Sequence, residues 1–503
     1  MSKNLKTMVK RTVTTIKKLC LLVCLGLMNV CMGQYPTHLI PANDPKIQYI
    51  GRIDFINPLA PAFSFPGVSI SAKFSGTAIS ADFKDYGTGN ATSTNYYNIY
   101  IDNQFVKALK VVSSTTNYIL ASGLSNDVHT ILVTKRTESS VGKSSFKGFY
   151  IEGVALETPD ALPSKKIEFI GDSWTCGYGN EYSGAGANTG FTSKNEDNYS
   201  AWGAITSRRL NAQYHCTAYS GRGLYRNNDG NKTTVIPNVY NRIFPDDAAS
   251  VWNFNNYIPD VVVIHLGTND FANEQTWASN HSTLDSASYV NKYIGFISDI
   301  RIAYGSSTKI VCVNGSSISV WSGFDQYNRW NNYMNAIYNH FVGLSDNNVY
   351  KFKLATQNAP YGEDWHPAKH EHISMADQIT AYIQQITGWQ DCASVNSGNA
   401  YFDECKICVG GNTGKTACVP SSTSIDDIVL DNHTLLLYPN PANSAININD
   451  GDQQTTWSIF NQLGEMVLSG NGKTCPLDKL SNGIYHILTL NGENQSAGTF
   501  VKE

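Results

Sequence analysis

Charge is scarce in this sequence, and so are long apolar runs. Only 16% of its 503 residues are charged, and 37 Lys and Arg against 41 Asp and Glu leave a formal net charge of −4. A protein that binds DNA or RNA needs a basic surface to displace phosphate counterions, so we expect no nucleic-acid partner. The apolar run at residues 19–30 is well short of the about 20 residues that span a bilayer. A membrane anchor is therefore disfavoured at this position.

The first 33 residues have the features of a signal peptide. Lys and Arg residues precede the apolar run, and Cys31-Met32-Gly33 places small residues at the −3 and −1 positions of a cleavage site. We therefore expect Sec export and a secreted or cell-surface protein. Three of the eleven cysteines leave with this segment. In an oxidising compartment, the eight that stay are more typical of disulfides than of metal ligands.

Residues 34–157 carry a strand pattern with a period of two. Apolar and polar residues alternate in short bursts at residues 68–74, 78–83, 97–102 and 129–135, with turn residues between them. Several such strands at close spacing, with no helical stretch, predict an antiparallel, jelly-roll-like β-sandwich.

Residues 163–390 carry a different pattern. Continuous apolar strands, such as residues 261–266 and 309–313, alternate with helical segments at residues 200–210, 289–302 and 327–341. Strands that are apolar throughout are buried on both faces, which predicts a three-layer α/β domain with a parallel sheet. Ligands of such sheets bind at the carboxyl ends of the strands, so the polar residues that end each strand are the candidates for function.

Three shorter segments complete the chain. Residues 391–420 are rich in Gly, Asn and Cys, residues 421–434 are expected to be a linker, and residues 435–503 alternate in the way of a small β-sandwich. The four cysteines of the first segment are Cys392, Cys405, Cys408 and Cys418. Four thiolates could bind zinc, but the exported location favours two disulfides, for which three pairings are open.

A serine follows the first strand of the predicted parallel sheet. Gly171-Asp172-Ser173 allows a sharp turn there and can present a hydroxyl to a cleft, although the tripeptide alone is also an ordinary turn sequence. The next strands lead into Gly221 and Asn269. With the N–H of Ser173, they supply three donors for the negative oxygen of a tetrahedral intermediate. We predict Ser173 as a nucleophile and Ser173, Gly221 and Asn269 as its oxyanion hole.

The general base is expected on the loop that follows the last strand. Histidine has a near-neutral pKa, so His366 can take the proton of a serine and return it to the leaving group. A carboxylate beside it would hold its tautomer and stabilise the imidazolium. Glu363 and Asp364 both precede it closely.

These blocks, in this order, resemble the SGNH (GDSL) hydrolases and, more narrowly, the carbohydrate esterase family 2 deacetylases. The narrower resemblance covers residues 45–388. It is carried by Gly51-Arg52 and residues 95–97, 129–131, 135–138, 171–180 and 220–227. It implies that Ser173 is the nucleophile and His366 the base, with Gly221 and Asn269 in the oxyanion hole. With Ser173 as the nucleophile no metal is needed, and we expect no cofactor. The activity it implies is removal of O-acetyl groups from plant cell-wall polysaccharides such as xylan and glucomannan.

The acid of the triad is where this sequence departs from the superfamily pattern. That pattern places the acid three residues before the histidine, at Glu363. The narrower family has an aspartate two residues before it, which matches Asp364 and makes Asp364 the favoured residue. A His366 oriented by a backbone carbonyl stays open.

Aromatic side chains near these blocks are candidates for binding the apolar faces of sugar rings. Trp365 stands between the acid and the base. Tyr225 and Trp321 lie on loops after strand ends and match the family's cleft aromatics in spacing.

Two further resemblances concern the end of the chain. Residues 391–420 resemble cysteine-rich spacer repeats of secreted bacterial proteins, in which Asp391 and Asp403 are candidate ligands for weak calcium binding. Residues 435–503, which contain Leu437-Tyr438-Pro439-Asn440-Pro441-Ala442, resemble C-terminal domains that direct cargo to the type IX secretion machinery. A generic β-sandwich, such as a carbohydrate-binding module, is the alternative.

Three other interpretations compete with the esterase. A metal site of Asp364, His366, His370 and His372 is disfavoured, because two histidines two residues apart on a helix point in different directions. A lipase or thioesterase of the same superfamily would require an apolar acyl pocket. A non-catalytic glycan-binding protein would be expected to have lost Ser173, Asn269 or His366, and all three are present.

Overall fold

The computed structural model describes residues 36–113, 116–275, 282–315, 325–395, 400–403, 407–416, 437–448, 455–461, 466–491 and 494–503. The chain divides into two compact units, residues 1–420 and 421–503. The predicted signal peptide and linker, Trp321, Cys405 and Cys418 lie outside the described residues. Within these ranges, no helix is long and apolar enough to cross a membrane.

The N-terminal part of the first unit consists of strands. They are β1 (His38–Pro41), β2 (Gln48–Ile50), β3 (Ala62–Phe63), β4 (Ser69–Ser75), β5 (Ala78–Asp85), β6 (Asn95–Ile101), β7 (Gln104–Val111), β8 (Asn117–Ser122), β9 (Val128–Lys135) and β10 (Ser144–Ile151). One antiparallel sheet has the order β1-β10-β5-β8 with β3 beside β10, and the other has the order β2-β4-β9-β6-β7. The two sheets share one apolar core. In β4, Ile70, Ala72 and Phe74 are buried and the residues between them are not, which confirms the predicted alternation.

The part of this unit that follows β10 alternates strands and helices. Its strands are β11 (Lys165–Gly171), β12 (Ala212–Ala218), β13 (Val261–His265), β14 (Lys309–Gly315) and β15 (Val349–Leu354). Its helices are α1 (Ser173–Cys176), α2 (Trp202–Arg209), α3 (Ile236–Val239), α4 (Thr268–Ala272), α5 (Ser286–Tyr304), α6 (Gln326–Gly343) and α7 (Lys369–Thr387). The strands form one sheet in the order β12-β11-β13-β14-β15, and every neighbouring pair is parallel. The predicted parallel sheet is confirmed.

Both faces of this sheet are covered, as its apolar strands predict. All five residues of β13 are buried, and alternate side chains point to opposite faces. Val262 belongs to an apolar cluster with Phe296 of α5, whereas Val263 belongs to another with Trp202 of α2 and Ile379 of α7. The sheet is therefore the middle of three layers, and its carboxyl ends form a common edge.

A buried ion pair joins the N-terminal strands to the parallel sheet. The guanidinium of Arg52 lies 3.0 Å from Glu168 on β11, and both side chains are fully buried. Arg52 also donates to the carbonyls of Tyr240 and Arg242, and its guanidinium lies 4.7 Å from the ring centre of Tyr240. The hydroxyls of Tyr240 and Tyr304 donate to the second oxygen of Glu168. The two parts of the unit thus share a desolvated polar contact.

Arg52→Ala is expected to lower the free energy of unfolding by about 3–5 kcal/mol, because it leaves the carboxylate of Glu168 buried without its counter-charge. Urea denaturation followed by tryptophan fluorescence measures this change. Asp377→Ala is the matched control: its partner Arg209 is buried, but Asp377 itself is 62% exposed, so we expect a loss of about 0–1 kcal/mol. Equal losses in the two variants would contradict this account of the Arg52 pair.

The cysteine-rich segment has two short paired strands, β16 (Tyr401–Phe402) and β17 (Cys408–Val409). A disulfide bond connects Cys392 to Cys408. It joins two of the four cysteines whose pairing the sequence left open.

Asp391 and Asp403 have the contacts of turn-forming residues. The carboxylate of Asp391 accepts from the N–H groups of Val395 and Ala400, and that of Asp403 accepts from Ile407. Side-chain acceptors of this kind close loops without a ligand. Their calcium role stays a prediction.

The second unit contains β18 (Leu437–Tyr438), β19 (Ala445–Ile448), β20 (Thr456–Phe460), β21 (Met466–Asn471), β22 (Thr474–Pro476), β23 (Gly483–Asn491) and β24 (Asn494–Lys502). They form antiparallel sheets in the orders β18-β19-β22 and β21-β20-β23-β24. Trp457, Ile459, Ile487 and Phe500 belong to its apolar core.

Candidate active site

Strand β11 carries Ser173 to the edge of the sheet. A Cβ atom at Gly171 would lie 2.1 Å from the Thr175 hydroxyl, so only glycine allows the chain to turn this tightly into α1. Asp172 caps α1 by accepting from the N–H of Trp174 at 3.1 Å. Ser173 follows as the first residue of that helix and is 5% exposed. Its hydroxyl is therefore held in one place by a capped turn.

The loop after β15 carries His366 to the same place. The hydroxyl of Ser173 donates to Nε2 of His366 at 2.7 Å, and Nδ1 of His366 donates to the carbonyl oxygen of Glu363 at 2.9 Å. With Nδ1 protonated, Nε2 is free to accept the serine proton. The two residues therefore have the geometry of a nucleophile and its general base.

The carbonyl that orients His366 is itself fixed by the side chain of its residue. The buried carboxylate of Glu363 accepts from the backbone N–H of Thr192 at 2.8 Å and from the side-chain amide of Asn195 at 2.6 Å. Asp364 and Trp365 follow with φ angles of 47° and 59°, in the left-handed region. Residues other than glycine rarely adopt this backbone conformation, and such strain concentrates at functional sites.

Asp364 does not make the contact favoured for it from the sequence. Its carboxylate accepts from the hydroxyl of Tyr178 at 2.7 Å and from the N–H of Gly190 at 2.9 Å, while Nδ1 of His366 bonds to the Glu363 carbonyl. The left-handed backbone at Asp364 directs its carboxylate to Tyr178 and Gly190 and not to Nδ1 of His366. In this structure a backbone carbonyl, that of Glu363, orients His366. The charge of Asp364 affects the imidazole only by raising its pKa.

Tyr178 is a site residue that the sequence did not single out. Its ring stacks on the imidazole of His366, with ring centres 4.1 Å apart and an angle of 25° between the planes. Its hydroxyl donates to Asp364, so one side chain covers the base and holds the loop. The run at residues 171–180 contained it, but nothing in that pattern gives the direction of its ring.

Gly221 and Asn269 meet beside the nucleophile turn. The side-chain amide of Asn269 donates to Asp172, next to Ser173, at 3.2 Å, and to the carbonyl of Arg222, next to Gly221, at 2.9 Å. Gly221 has a φ of 76°, which favours glycine, and no described residue accepts from its N–H. The structure therefore brings the three predicted donors into one neighbourhood.

Asp270 holds the loop that contains Gly221. Its buried carboxylate accepts from the N–H groups of Leu224, Tyr225 and Arg226 at 2.8, 2.7 and 2.9 Å. Burial raises the pKa of Asp270 to about 6, and these donors act in the opposite direction. The donor next to Asp270 in the chain, Asn269, is thereby tied to the same loop.

The predicted sugar-binding aromatics have different surroundings. Trp365 is 53% exposed beside His366, as a platform for a ligand requires. Tyr225 accepts a hydrogen bond from Lys232 at 2.8 Å, and that ammonium lies 4.4 Å from its ring centre. Tyr225 therefore already has a cation at its ring, whereas Trp365 is open.

The histidines weighed as metal ligands do not share one site. His366 uses both ring nitrogens in the contacts above. His372 is fully buried, and its Nδ1 accepts from the N–H of Trp202 at 3.3 Å. His370 is exposed in the first turn of α7, where the sequence placed it.

The surroundings of His366 favour its neutral form. Burial lowers the pKa of His366 to about 4, while the Glu363 carbonyl and the charge of Asp364 raise it by smaller amounts. A base must be neutral to take a proton, so kcat/KM is expected to be flat through neutral pH and to fall only as the pH drops toward about 4. Initial rates of ester hydrolysis between pH 3.5 and 8 measure this limb.

Asp364→Asn is the matched variant for the pH profile. Removing the negative charge of Asp364 removes one interaction that stabilises the imidazolium, so the acid limb should move to still lower pH. A limb near the ordinary histidine value of about 6.5, unmoved by Asp364→Asn, would contradict the electrostatic account.

Three protein families match successive parts of the chain. Residues 49–159 match the carbohydrate esterase 2 N-terminal family, residues 169–372 match the GDSL-like lipase/acylhydrolase family, and residues 436–503 match a secretion-system C-terminal sorting domain. The last match identifies the second unit as a type IX sorting domain, so the protein is secreted or attached to the cell surface.

Relatives of known name agree with these matches. The cellulase/esterase CelE of Acetivibrio thermocellus is 35% identical over 351 residues, which are 69% of this chain and 40% of that relative's own length. An acetylxylan esterase / glucomannan deacetylase of Cellvibrio japonicus is 26% identical, over 70% of this chain and 92% of the relative.

A solved structure of a carbohydrate esterase is also similar to this chain. The family two carbohydrate esterase from Clostridium thermocellum, in complex with cellohexaose, is 34% identical and has a TM-score of 0.62. It covers 68% of this chain, and this chain covers 99% of it. The chain belongs to carbohydrate esterase family 2 and is a carboxylic ester hydrolase.

Proposed function

We propose that this protein is a secreted serine esterase that removes O-acetyl groups from plant cell-wall polysaccharides such as xylan and glucomannan. The observation that carries the proposal is the Ser173 hydroxyl 2.7 Å from Nε2 of a His366 whose other nitrogen is bonded. The polysaccharide class is supported by the relatives, among which an acetylxylan esterase / glucomannan deacetylase spans 70% of this chain.

The reaction begins with proton transfer within the Ser173–His366 pair. Nε2 of His366 takes the hydroxyl proton as Oγ of Ser173 attacks the acetyl carbonyl carbon, and the imidazolium then protonates the departing sugar oxygen, which leaves as a hydroxyl. A water molecule, deprotonated by the same nitrogen, attacks the acetyl-enzyme, and the imidazolium returns the proton to Oγ of Ser173 as acetate leaves. The Glu363 carbonyl orients the imidazole in both halves of the cycle.

The tetrahedral intermediates of both halves carry a negative oxygen. The N–H groups of Ser173 and Gly221 and the amide of Asn269 are the donors that stabilise it. Helix α1 starts at Ser173, so this N–H belongs to the first turn, where backbone donors have no partner within the helix. Preorganised donors of this kind are often the largest single contribution to catalysis.

Trp365 is the side chain that receives the sugar. Its 53% exposed ring follows the residues that hold His366, so a pyranose packed on it brings an acetyl group to Ser173. Tyr225 and Trp321 complete the proposed binding set, with Tyr225 on the loop of Gly221. Export through Sec and then type IX secretion would place this cleft outside the cell.

Acetate release from acetylated xylan, glucomannan and mannan tests the proposal. Wild-type protein should release acetate from at least one of them, and Ser173→Ala should release none above background. Acetylated and chemically deacetylated samples of each polymer distinguish deacetylation from binding alone. Full activity of Ser173→Ala would overturn the proposal.

A series of 4-nitrophenyl esters separates the remaining hydrolases. Activity that falls from acetate to octanoate supports a deacetylase, whereas activity that rises with chain length indicates a lipase or thioesterase. Polysaccharide binding without release of acetate from any ester would instead indicate a non-catalytic glycan-binding protein.

A further inference from the structure

The segment that follows β9 leaves the N-terminal strands and enters the catalytic site. Glu138 in this segment is 1% exposed, and its carboxylate accepts from the backbone N–H of Ser220 at 2.7 Å. The same oxygen lies 3.7 Å from Sγ of Cys176. Ser220 directly precedes Gly221, and Cys176 closes the helix that Ser173 begins. One side chain of the N-terminal part therefore touches both elements of the proposed oxyanion hole.

A neighbouring arginine holds the other side of the site. Arg136, 3% exposed, donates to the backbone carbonyls of Lys194 and Glu196 at 3.2 Å each. That loop also contains Thr192, whose N–H holds the carboxylate of Glu363. Arg136 thus contacts the loop that holds Glu363, and Glu138 contacts the loop of Gly221.

The surroundings of Glu138 are costly for a carboxylate. Ligand atoms of Glu138, Cys176 and Glu196 lie within 4.8 Å of one another, and all three residues are buried. Burial raises the pKa of Glu138, while hydrogen bonds from Ser220 and the charge of Lys135 lower it. Burial and the charge of Glu138 raise the pKa of Glu196. Buried acids this close to each other are costly unless they are compensated, and such groups cluster at functional sites.

The contacts among Glu138, Cys176 and Glu196 indicate that Glu138 acts as a hydrogen-bond acceptor and not as a cation ligand. The oxygen of Glu138 that lies near Cys176 already accepts from the N–H of Ser220. The backbone N–H of Glu138 donates to the carboxylate of Glu196 at 2.9 Å. The ammonium of Lys135 donates to the carbonyl of Glu138 at 3.2 Å, which places a positive charge beside both acids.

We infer that Glu138 is a positioning residue for the oxyanion hole: it holds the N–H of Ser220 and so fixes the peptide that presents the N–H of Gly221. The inference rests on the proposed function, because it requires Gly221 to stabilise the tetrahedral intermediate. The carbonyl of Ser220 and the N–H of Gly221 belong to one planar peptide, so their direction is set together. Glu138 anchors the preceding N–H, and the Asn228 N–H bonded to the Gly221 carbonyl at 2.9 Å anchors the following peptide.

Glu138→Ala and Glu138→Gln, with Glu152→Ala as control, test this role. Glu152 also accepts a backbone N–H in the N-terminal part, that of Thr77 at 2.7 Å, but it touches no residue of the site. Glu138→Ala should lower kcat for 4-nitrophenyl acetate about tenfold or more, with KM changed less than threefold, because a misplaced donor acts on the transition state. Affinity for phenylboronic acid, whose adduct with Ser173 is tetrahedral, should fall by a similar factor.

Glu138→Gln separates positioning from stability. Its amide oxygen still accepts from Ser220 and it removes one of two adjacent acids, so kcat should stay within threefold of wild type and the thermal midpoint should not fall. Glu152→Ala should lower the thermal midpoint without changing kcat. The inference is overturned if Glu138→Ala lowers only the midpoint and leaves kcat and boronate affinity within twofold of wild type.

The same measurements distinguish this failure from failure of the proposed function. They use a simple acetate ester, so wild-type protein that cleaves it but releases no acetate from the polysaccharides refutes the substrate and leaves Glu138 tested. Wild-type protein inactive on every ester refutes the Glu138 role as well.

Discussion

Ser173→Ala and His366→Ala are each expected to lower kcat by about 10⁴- to 10⁶-fold, and the double variant is expected to be no slower than the slower single variant. The reason is the 2.7 Å hydrogen bond between Oγ of Ser173 and Nε2 of His366, which makes the two side chains one chemical unit. Once the hydroxyl is gone, the imidazole has no proton to take. Rates at pH 7 with a simple acetate ester measure all four proteins.

His370→Ala is the matched control for this series. His370 lies four residues from His366 and is exposed, so its removal should change kcat less than twofold and leave the thermal midpoint unchanged. Losses that multiply in the double variant would show that the two side chains act independently, as they would if His366 served a different nucleophile. Residual activity near the wild-type level in either single variant would contradict the catalytic assignment outright.

Parallel strands explain why sequence reasoning could assemble much of this site. Ser173, Asn269 and His366 are far apart in the chain, but each follows a strand of the sheet β12-β11-β13-β14-β15. Parallel strands end at one edge, so residues that follow their carboxyl ends converge whatever their separation. Continuous apolar runs identified the strands, and the strands brought the polar residues together.

The partner of Nδ1 could not be predicted in the same way. Glu363 and Asp364 are both acids at plausible spacing, and the outcome depends on the left-handed backbone at Asp364 and Trp365. This conformation directs the carbonyl of Glu363, and neither of the two carboxylates, to Nδ1 of the imidazole. Spacing reports which side chains are near, and backbone conformation decides which atom makes the contact.

The contacts between the N-terminal strands and the catalytic part were also beyond the sequence. Residues 135–138 belonged to the family resemblance, but alternation along β9 gives no sign that Arg136 and Glu138 are inserted between catalytic loops. Their burial, at 3% and 1% exposure, is unusual for charged residues and is visible only in the fold. A buried charged side chain bonded to backbone groups of other loops is the signal that identified them.

Asn269→Ala is expected to lower kcat about 10²- to 10³-fold while KM stays within about threefold, because a single oxyanion-hole donor contributes to the transition state and little to substrate binding. Nδ2 of Asn269 donates to Asp172, in the nucleophile turn, at 3.2 Å and to the carbonyl of Arg222 at 2.9 Å. These contacts use both of its N–H groups, so we expect the negative oxygen to take the N–H that otherwise donates to Asp172. Steady-state kinetics with the acetate ester measure the loss.

Asn273→Ala is its control, since Asn273 is one helical turn later and its amide donates to the carbonyl of Asn227 in the same loop at 2.7 Å. It removes a buried contact to the loop but no proposed donor, so kcat should fall less than tenfold. If Asn269 only supports the loop, Asn269→Ala and Asn273→Ala should lower kcat by similar factors, because each removes a buried amide contact to this loop. If Asn269 stabilises a negative oxygen, Asn269→Ala must lower kcat at least tenfold more than Asn273→Ala at similar KM.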